Sequence, residues 1–395
     1  MQKPHEIFLK NIAQTTPFPL SLEIASAKGS YLFGPNGEEY LDLISGVGVS
    51  NFGHGHPHVV EAIKKQLDKH LHTMVYGEYI QDSPNKLAEK LASLLPPQLN
   101  CSYFVNSGAE SIEGALKLAK RYTGRREIIS FRGAYHGSTH GALSVSGNET
   151  KKRAFRPLLP EVRFLNFNKV KELSAISEKT ACVIVETIQG DAGIRIPDQS
   201  YLEALRTRCT EMGALLIFDE IQAGMGRTGK LFAFEHYGVV PDILCSAKAL
   251  GGGLPLGAFI SSYEIMQCLT DKPMLGHITT FGGNPLSCAA SLACLELLEQ
   301  ENILAQVEAK GALFEELLQH PRIIEIRRKG LYFAFEFANA DEVQTIVEYC
   351  MKKGVICFWF LSCPEAFRIA PPLNISEEDI RKACEIIREA MDLLD

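Results

Sequence analysis

The sequence predicts an α/β fold, with a large domain built on a mostly parallel mixed sheet covered by helices and a smaller α+β domain beside it. Three observations predict it. Short, wholly apolar runs recur at CSYFVN (101–106), ACVIVE (181–186), ALLIFDE (214–220) and DILCSAK (242–248). Amphipathic helical segments alternate with them, at PNKLAEKLASLL (84–95), ESIEGALKLAKRY (110–122) and YLEALRTRCTEM (201–212). Strands buried on both faces read as continuous apolar runs, and their alternation with helices signals parallel crossover units. The third observation is the balance of 46% hydrophobic and 22% charged residues over 395 positions. That is an ordinary globular composition with room for two to three domains, and it excludes a disordered or collagen-like chain.

In chain order, residues 1–50 hold YLFGPNGEEYLDL (31–43), a hairpin turning at Pro35-Asn36-Gly37, and are assigned to the smaller domain. Residues 51–285 form the large domain. Within it, Gly213 follows the 201–212 helix as a C-terminal stop. From Leu286 the helical pattern LSCAASLACLELLEQENI leads away from the sheet. GLYFAFEFA (330–338) then alternates like a strand, and EEDIRKACEIIREAMDLL (377–394) closes the chain as a helix. Residues 286–395 complete the smaller domain.

Charge and cysteine usage narrow the function. Lys plus Arg is 40 and Asp plus Glu is 47, a net charge of −7, which disfavours a nucleic-acid partner. No apolar run reaches the roughly 18–20 residues of a membrane span. The N-terminus lacks the apolar core of a secretion signal. The eleven cysteines are odd in number and form no C-x-x-C pair. These features describe a cytoplasmic protein with reduced thiols.

The chemistry-bearing residues gather at strand ends. ALLIFDE ends in Asp219 and Glu220, ACVIVE in Glu186 and DILCSAK in Lys248. In open α/β sheets ligands bind beyond the carboxyl ends of the strands, so these groups can share a crevice, although each also marks where its strand reaches water. Asn106-Ser107-Gly108-Ala109-Glu110 lies between a strand and a helix. Ser107 and Glu110 form a capping box, and the free N–H groups of the helix start suit a phosphate that Gly108 would admit closely. Lys248 stands between an apolar strand and Gly251-Gly252-Gly253. An apolar setting lowers a lysine pKa and readies its amine to form a Schiff base with an aldehyde.

Two further strings carry less. Gly224-Met225-Gly226-Arg227-Thr228-Gly229 matches the dinucleotide pattern, but it opens no clear helix and would set Asp219 and Glu220 against a pyrophosphate. His54, His56 and His58 have no standard zinc spacing and no adjacent acid, so no metal site is expected.

The strings NSGAES, YHGST, ETIQGDAG, FDEIQAGMGRTG, SAKALGGG, HITTFGGNPLSCAA and FRIAPPLNI occur here in the order seen in class III aminotransferases, from about Tyr31 to Asn374. GVGVSNFGHGHPHVVEAIKKQL (46–67) most resembles the acetylornithine and ornithine branch. The resemblance implies fold type I, pyridoxal 5′-phosphate, and a homodimer with active sites at the subunit interface. It implies that Lys248 holds the cofactor aldehyde as a Schiff base and that Asp219 pairs with the pyridine nitrogen. Gln222 matches the residue that bonds the ring hydroxyl, while Tyr135 and Ile221 match those covering its two faces. Ser107, Gly108 and Ala109 match the phosphate cradle, with Thr280 contributed by the partner subunit. His136 and Glu186 also belong to the matched cofactor site. On the substrate side the resemblance implies Thr279, Asp191, Arg368 and Tyr76, with Asp191 masking Arg368 in one half-reaction.

Four positions depart from that branch. Ser138 stands where an arginine grips a substrate carboxylate, and a hydroxyl cannot replace a bidentate guanidinium. Asp191 is one methylene shorter than the usual Glu, Thr187 replaces a proline, and Tyr135 replaces a Phe. The expected activity is transfer of the terminal amino group of an ornithine- or N-acetylornithine-like donor to 2-oxoglutarate. Another ω-amino donor, pyruvate as acceptor, or a related aminomutase or decarboxylase reaction stay open.

Overall fold

The computed structural model describes residues 4–75 and 77–394. Its main sheet has seven strands: β1 Cys101–Val105, β2 Glu127–Phe131, β3 Val162–Leu165, β4 Thr180–Glu186, β5 Leu215–Asp219, β6 Ile243–Ser246 and β7 Gly257–Ser261. Their spatial order is β1-β7-β6-β5-β4-β2-β3. The pairs from β6 through β3 are parallel, and β7 alone runs against its neighbours β6 and β1. The four apolar runs read from the sequence are β1, β4, β5 and β6.

Side chains alternate across these strands, and the alternation divides the interior into two layers. Cys182 and Ile184 of β4 and Ile217 of β5 join one hydrophobic cluster with Ile112, Ala115 and Ala119. Val183 and Val185 of β4, with Leu216 and Phe218 of β5, join the cluster on the other face. The first layer is covered by α1 (Gly108–Thr123), and α2 (Gln199–Met212) packs on the second. Gly114 of α1 meets the Phe259 ring of β7 so closely that no side chain would fit between them. Gly213 ends α2 with φ 62°, the left-handed conformation that favours glycine.

The long helix α3 (Pro285–Gln300) starts with Asn284 accepting from the Leu286 N–H and packs against the helices Pro57–Leu67 and Asp82–Leu94. Beyond it, Glu325–Lys329, Tyr332–Glu336, Ala366–Ile369 and Phe358–Trp359 form a four-stranded antiparallel sheet. The GLYFAFEFA run does not start as strand, because Gly330 (φ 59°) turns the chain between the first two of these strands. The hairpin Tyr31–Phe33/Glu39–Asp42 takes Val355–Ile356 as a parallel neighbour, so both ends of the chain share a small sheet. The closing helix Glu377–Asp392 is capped by Ser376 Oγ, which accepts from the Asp379 N–H at 3.0 Å. No helix among the described residues is long and apolar enough to cross a membrane.

Candidate active site

All main-sheet strands except β7 run the same way, so their carboxyl ends open on one side. There, Glu186 ends β4, Asp219 ends β5, and Lys248 follows β6. The loop after β2 brings Tyr135, His136 and Ser138, and α1 begins at Gly108. These residues, with Ala109, Ile221 and Gln222, line one cavity of about 250 Å³. Glu220 does not join them. Alternation turns it to the opposite face, where it accepts from Thr187 Oγ1 at 2.7 Å and from the N–H groups of Ala233 and Phe234.

Asp219 is held on both oxygens. Oδ2 lies 2.7 Å from His136 Nδ1, and Oδ1 accepts from the Ile221 N–H at 3.0 Å. Glu186 accepts from the N–H groups of Tyr135 and Gly190, both at 2.9 Å. Burial pushes its carboxyl up to about 7, with the nearby Asp219 charge adding to the rise. Burial also draws Lys248 down to about 8, where roughly a quarter of it is neutral at pH 7.5 against about one in a thousand for an ordinary lysine. Lys248 sits at φ 51° beside the glycine turn, a conformation that costs a side-chain-bearing residue on the order of 1 kcal/mol.

Ser107 Oγ accepts from the Glu110 N–H at 3.2 Å, and Glu110 reaches back to the Asn106 N–H at 2.8 Å. This is the capping reciprocity read from the sequence, shifted by one residue. It leaves the N–H groups of Gly108 and Ala109, which line the cavity, without an intrahelical partner. A Cβ on Gly108 would come within 2.8 Å of Ile221 Cδ1, so the space over the helix start exists only because residue 108 is glycine. Gln222 makes no hydrogen bond among the described residues. Thr279 and Thr280 do not line the cavity of their own chain. Thr279 Oγ1 instead accepts from Asn106 Nδ2 at 3.0 Å, and Thr280 is exposed. Tyr76 lies outside the described residues.

Arg368, on the strand Ala366–Ile369, is only 5% exposed and lies over the rings of Phe358 and Phe360. Among the described residues its guanidinium has neither a hydrogen bond nor an ion pair, and its Nε is buried without a partner. The expected pairing with Asp191 is not made. Asp191 accepts instead from Lys151 Nζ (3.2 Å), Ser362 Oγ (2.6 Å) and the Leu361 N–H (3.2 Å). Its shorter side chain is satisfied locally, and the Arg368 guanidinium stays unpaired. The Gly224–Gly229 string is an interior tie rather than a nucleotide loop. Its Arg227 is fully buried and bonds Leu331 O, Pro371 O and Asn51 Oδ1. His54, His56 and His58 turn to three different acids, Asp42, Glu301 and Glu296.

Sequence reasoning missed Lys151, Ser362 and Tyr332, whose hydroxyl is buried without a partner and would meet a side chain placed at Gly190. It named His136 without its partner Asp219, since the two are 83 positions apart. Lys151 lies in an unremarkable charged stretch and carries no motif.

A buried amine, a fixed carboxylate and a glycine-cleared helix start, on one cavity, define a site for amine chemistry on an anionic cofactor. Residues 13–391 match the model of the family described as aminotransferase class III. The chain belongs to the class III aminotransferases, has their fold type I architecture and uses pyridoxal 5′-phosphate. It is similar to the ornithine aminotransferase of Toxoplasma gondii, with 30% identity, a TM-score of 0.91, and 98% of this chain and 92% of that one covered. It is also similar to the adenosylmethionine-8-amino-7-oxononanoate aminotransferase of Methanocaldococcus jannaschii, with 31% identity, a TM-score of 0.91 and 98% of each chain covered. A Bacillus anthracis aminotransferase matches at 29% identity and a TM-score of 0.91, over 98% of this chain and 97% of that one. The residues fit the cofactor: the unbonded Gln222 amide, the Lys248 amine whose pKa burial lowers and the space kept by Gly108 each leave a group free for it.

Proposed function

We propose that this aminotransferase moves the terminal amino group of an ornithine- or N-acetylornithine-like ω-amino donor to 2-oxoglutarate. The observation that carries the reading is Arg368. A buried guanidinium without a partner, close enough to Lys248 to depress its pKa, is a ready seat for the carboxylate of a keto acid. A desolvated cation costs free energy unless a ligand completes it, so the site favours an anionic acceptor.

When bound, pyridoxal 5′-phosphate supplies an aldehyde that reacts with primary amines and a ring that withdraws electrons. Lys248 would hold that aldehyde through its neutral amine. Once freed, its Nζ would carry the proton that leaves the substrate carbon. Asp219, oriented by His136 and the Ile221 N–H, would hold the ring nitrogen in its protonated form. Glu186 would fix the Tyr135 loop from behind. Tyr135 and Ile221 would cover the two ring faces, and Gln222 would donate to the ring hydroxyl. The first N–H groups of α1, at Gly108 and Ala109, would hold the phosphate together with Ser107. Thr280 of the partner subunit would complete that cradle in a homodimer. Tyr76, Ser138, Asp191 and Thr279 would face the substrate.

A scan of ornithine, N-acetylornithine and longer ω-amino donors against 2-oxoglutarate and pyruvate tests this. The longer donors belong in it because the Methanocaldococcus jannaschii enzyme is as similar as the ornithine one. The expected result is one glutamate formed per 2-oxoglutarate consumed, with an ω-amino donor preferred. Amino-group migration or carbon dioxide release without keto-acid consumption would overturn it in favour of a mutase or decarboxylase.

A further inference from the structure

A second cavity of about 220 Å³ adjoins the first and shares Tyr135 and Ser138 with it. Its floor is a polar group built on Asp191, Lys151 and Ser362. Lys151 Nζ lies 3.2 Å from Asp191 Oδ2 and 3.3 Å from Ser362 Oγ, and Asn148 Nδ2 donates to Ser362 Oγ at 3.0 Å. Asp191 is only 6% exposed, while the Lys151 side chain remains one-third exposed. Asp191 is thus bonded on both oxygens. An ammonium has three donors, and Lys151 uses two, so one is left for a ligand in the cavity that Lys151 lines. Ser138 lines the same space with its hydroxyl 3.4 Å from that of Tyr135. A molecule held at Lys248 and extending past Tyr135 therefore meets a cation with a spare donor.

From this arrangement we propose that Lys151 selects substrates by binding their distal carboxylate, as the cation that Ser138 does not supply. The assignment rests on the reading above that an acceptor keto acid is seated on Arg368. A dicarboxylic keto acid then places one carboxylate at Arg368 and the other at Lys151. Asp191 competes for Lys151 rather than for Arg368, so it sets how readily the distal carboxylate enters. A monocarboxylate engages Arg368 alone.

The test is calorimetric titration of the pyridoxal-phosphate-loaded enzyme with glutarate and with butyrate, which differ by one carboxylate and need no turnover. Wild type is expected to bind glutarate about tenfold more tightly, the lower range for a charge-assisted hydrogen bond at a partly exposed site. Lys151→Met should bring the two affinities together, Lys151→Arg should keep the preference, and Ser138→Arg added to Lys151→Met should restore it. Asp191→Asn should tighten glutarate without tightening butyrate. Were Asp191 instead a mask on Arg368, that variant would tighten both. In turnover, Lys151→Met should lower the ratio of kcat/KM for 2-oxoglutarate to that for pyruvate about tenfold, a ratio that cancels any loss of folded enzyme. A glutarate preference that survives Lys151→Met, or an unchanged kinetic ratio, overturns the assignment. Loss of transamination with the glutarate preference intact would instead overturn the proposed reaction and leave Lys151 as a carboxylate site.

Discussion

Arg227 and Arg368 are both buried, and among the described residues neither has a carboxylate within ion-pairing distance. Arg227 spends its guanidinium on three oxygens from distant parts of the chain: Asn51, Leu331 and Pro371. Arg368 spends none and faces aromatic rings. Burial pulls both guanidinium groups below their ordinary range. A buried charge whose donors are tied off inside the chain holds the fold together. One left untied costs stability, and a bound anion recovers that cost. The contrast separates structural from functional arginines more sharply than burial alone does.

The largest effect is expected at Arg227. Arg227→Met leaves three acceptors without a donor and should destabilise the protein by on the order of 3 kcal/mol, read from urea unfolding. Arg368→Met orphans no partner. It should leave the urea midpoint unchanged or raised while the KM for the keto acid rises about a hundredfold, the scale of a bidentate carboxylate contact. An equal loss of stability in both variants would break the comparison.

Lys248 extends the rule to the reacting amine. Its pKa in the folded chain, about 8, lies below the ordinary 10.5. The unfolded chain therefore binds this proton more tightly between those values. The contribution of Lys248 to stability is fully present above pH 10.5 and is lost as pH falls through 8. In cofactor-free protein, Lys248→Met should be the more stable form at pH 7 by on the order of 3 kcal/mol. The advantage should disappear near pH 10.5, and an advantage that does not change with pH would contradict the desolvation of the amine. Glu220, by contrast, is tied by three donors. Thr187→Val removes one of them and should cost about 1 kcal/mol at neutral pH. Burial raises the Glu220 carboxyl to about 7, so the loss should shrink towards pH 4.5, where the acid is protonated.

The catalytic side of the molecule was legible because its parts are local. A strand end, a helix cap and a glycine-flanked lysine are short patterns with direct physical meaning, and Asp219, Gly108 and Lys248 were read from them. The parallel order of β4, β5 and β6 followed from their wholly apolar runs. The long-range partners were not legible. Nothing near Asp219 names His136, and nothing near Arg227 names Leu331 or Pro371. Lys151 was passed over because a lysine in a charged helical stretch looks solvated, and only the fold sets it beside Asp191. The single methylene missing at Asp191 was visible, but its consequence, a local partnership that leaves Arg368 open, needed the neighbours in space. β7 was missed because its five residues, Gly257–Ser261, sit directly behind a glycine-rich turn.

The central claim is that the amine of Lys248 carries the cofactor. Borohydride reduction of the purified holoenzyme, followed by peptide mass mapping, tests it most directly. The account predicts a single pyridoxyl mass increment on the peptide containing Lys248, with that increment and transamination both lost in Lys248→Ala. An increment on another lysine, or full amino transfer by Lys248→Ala, would contradict it.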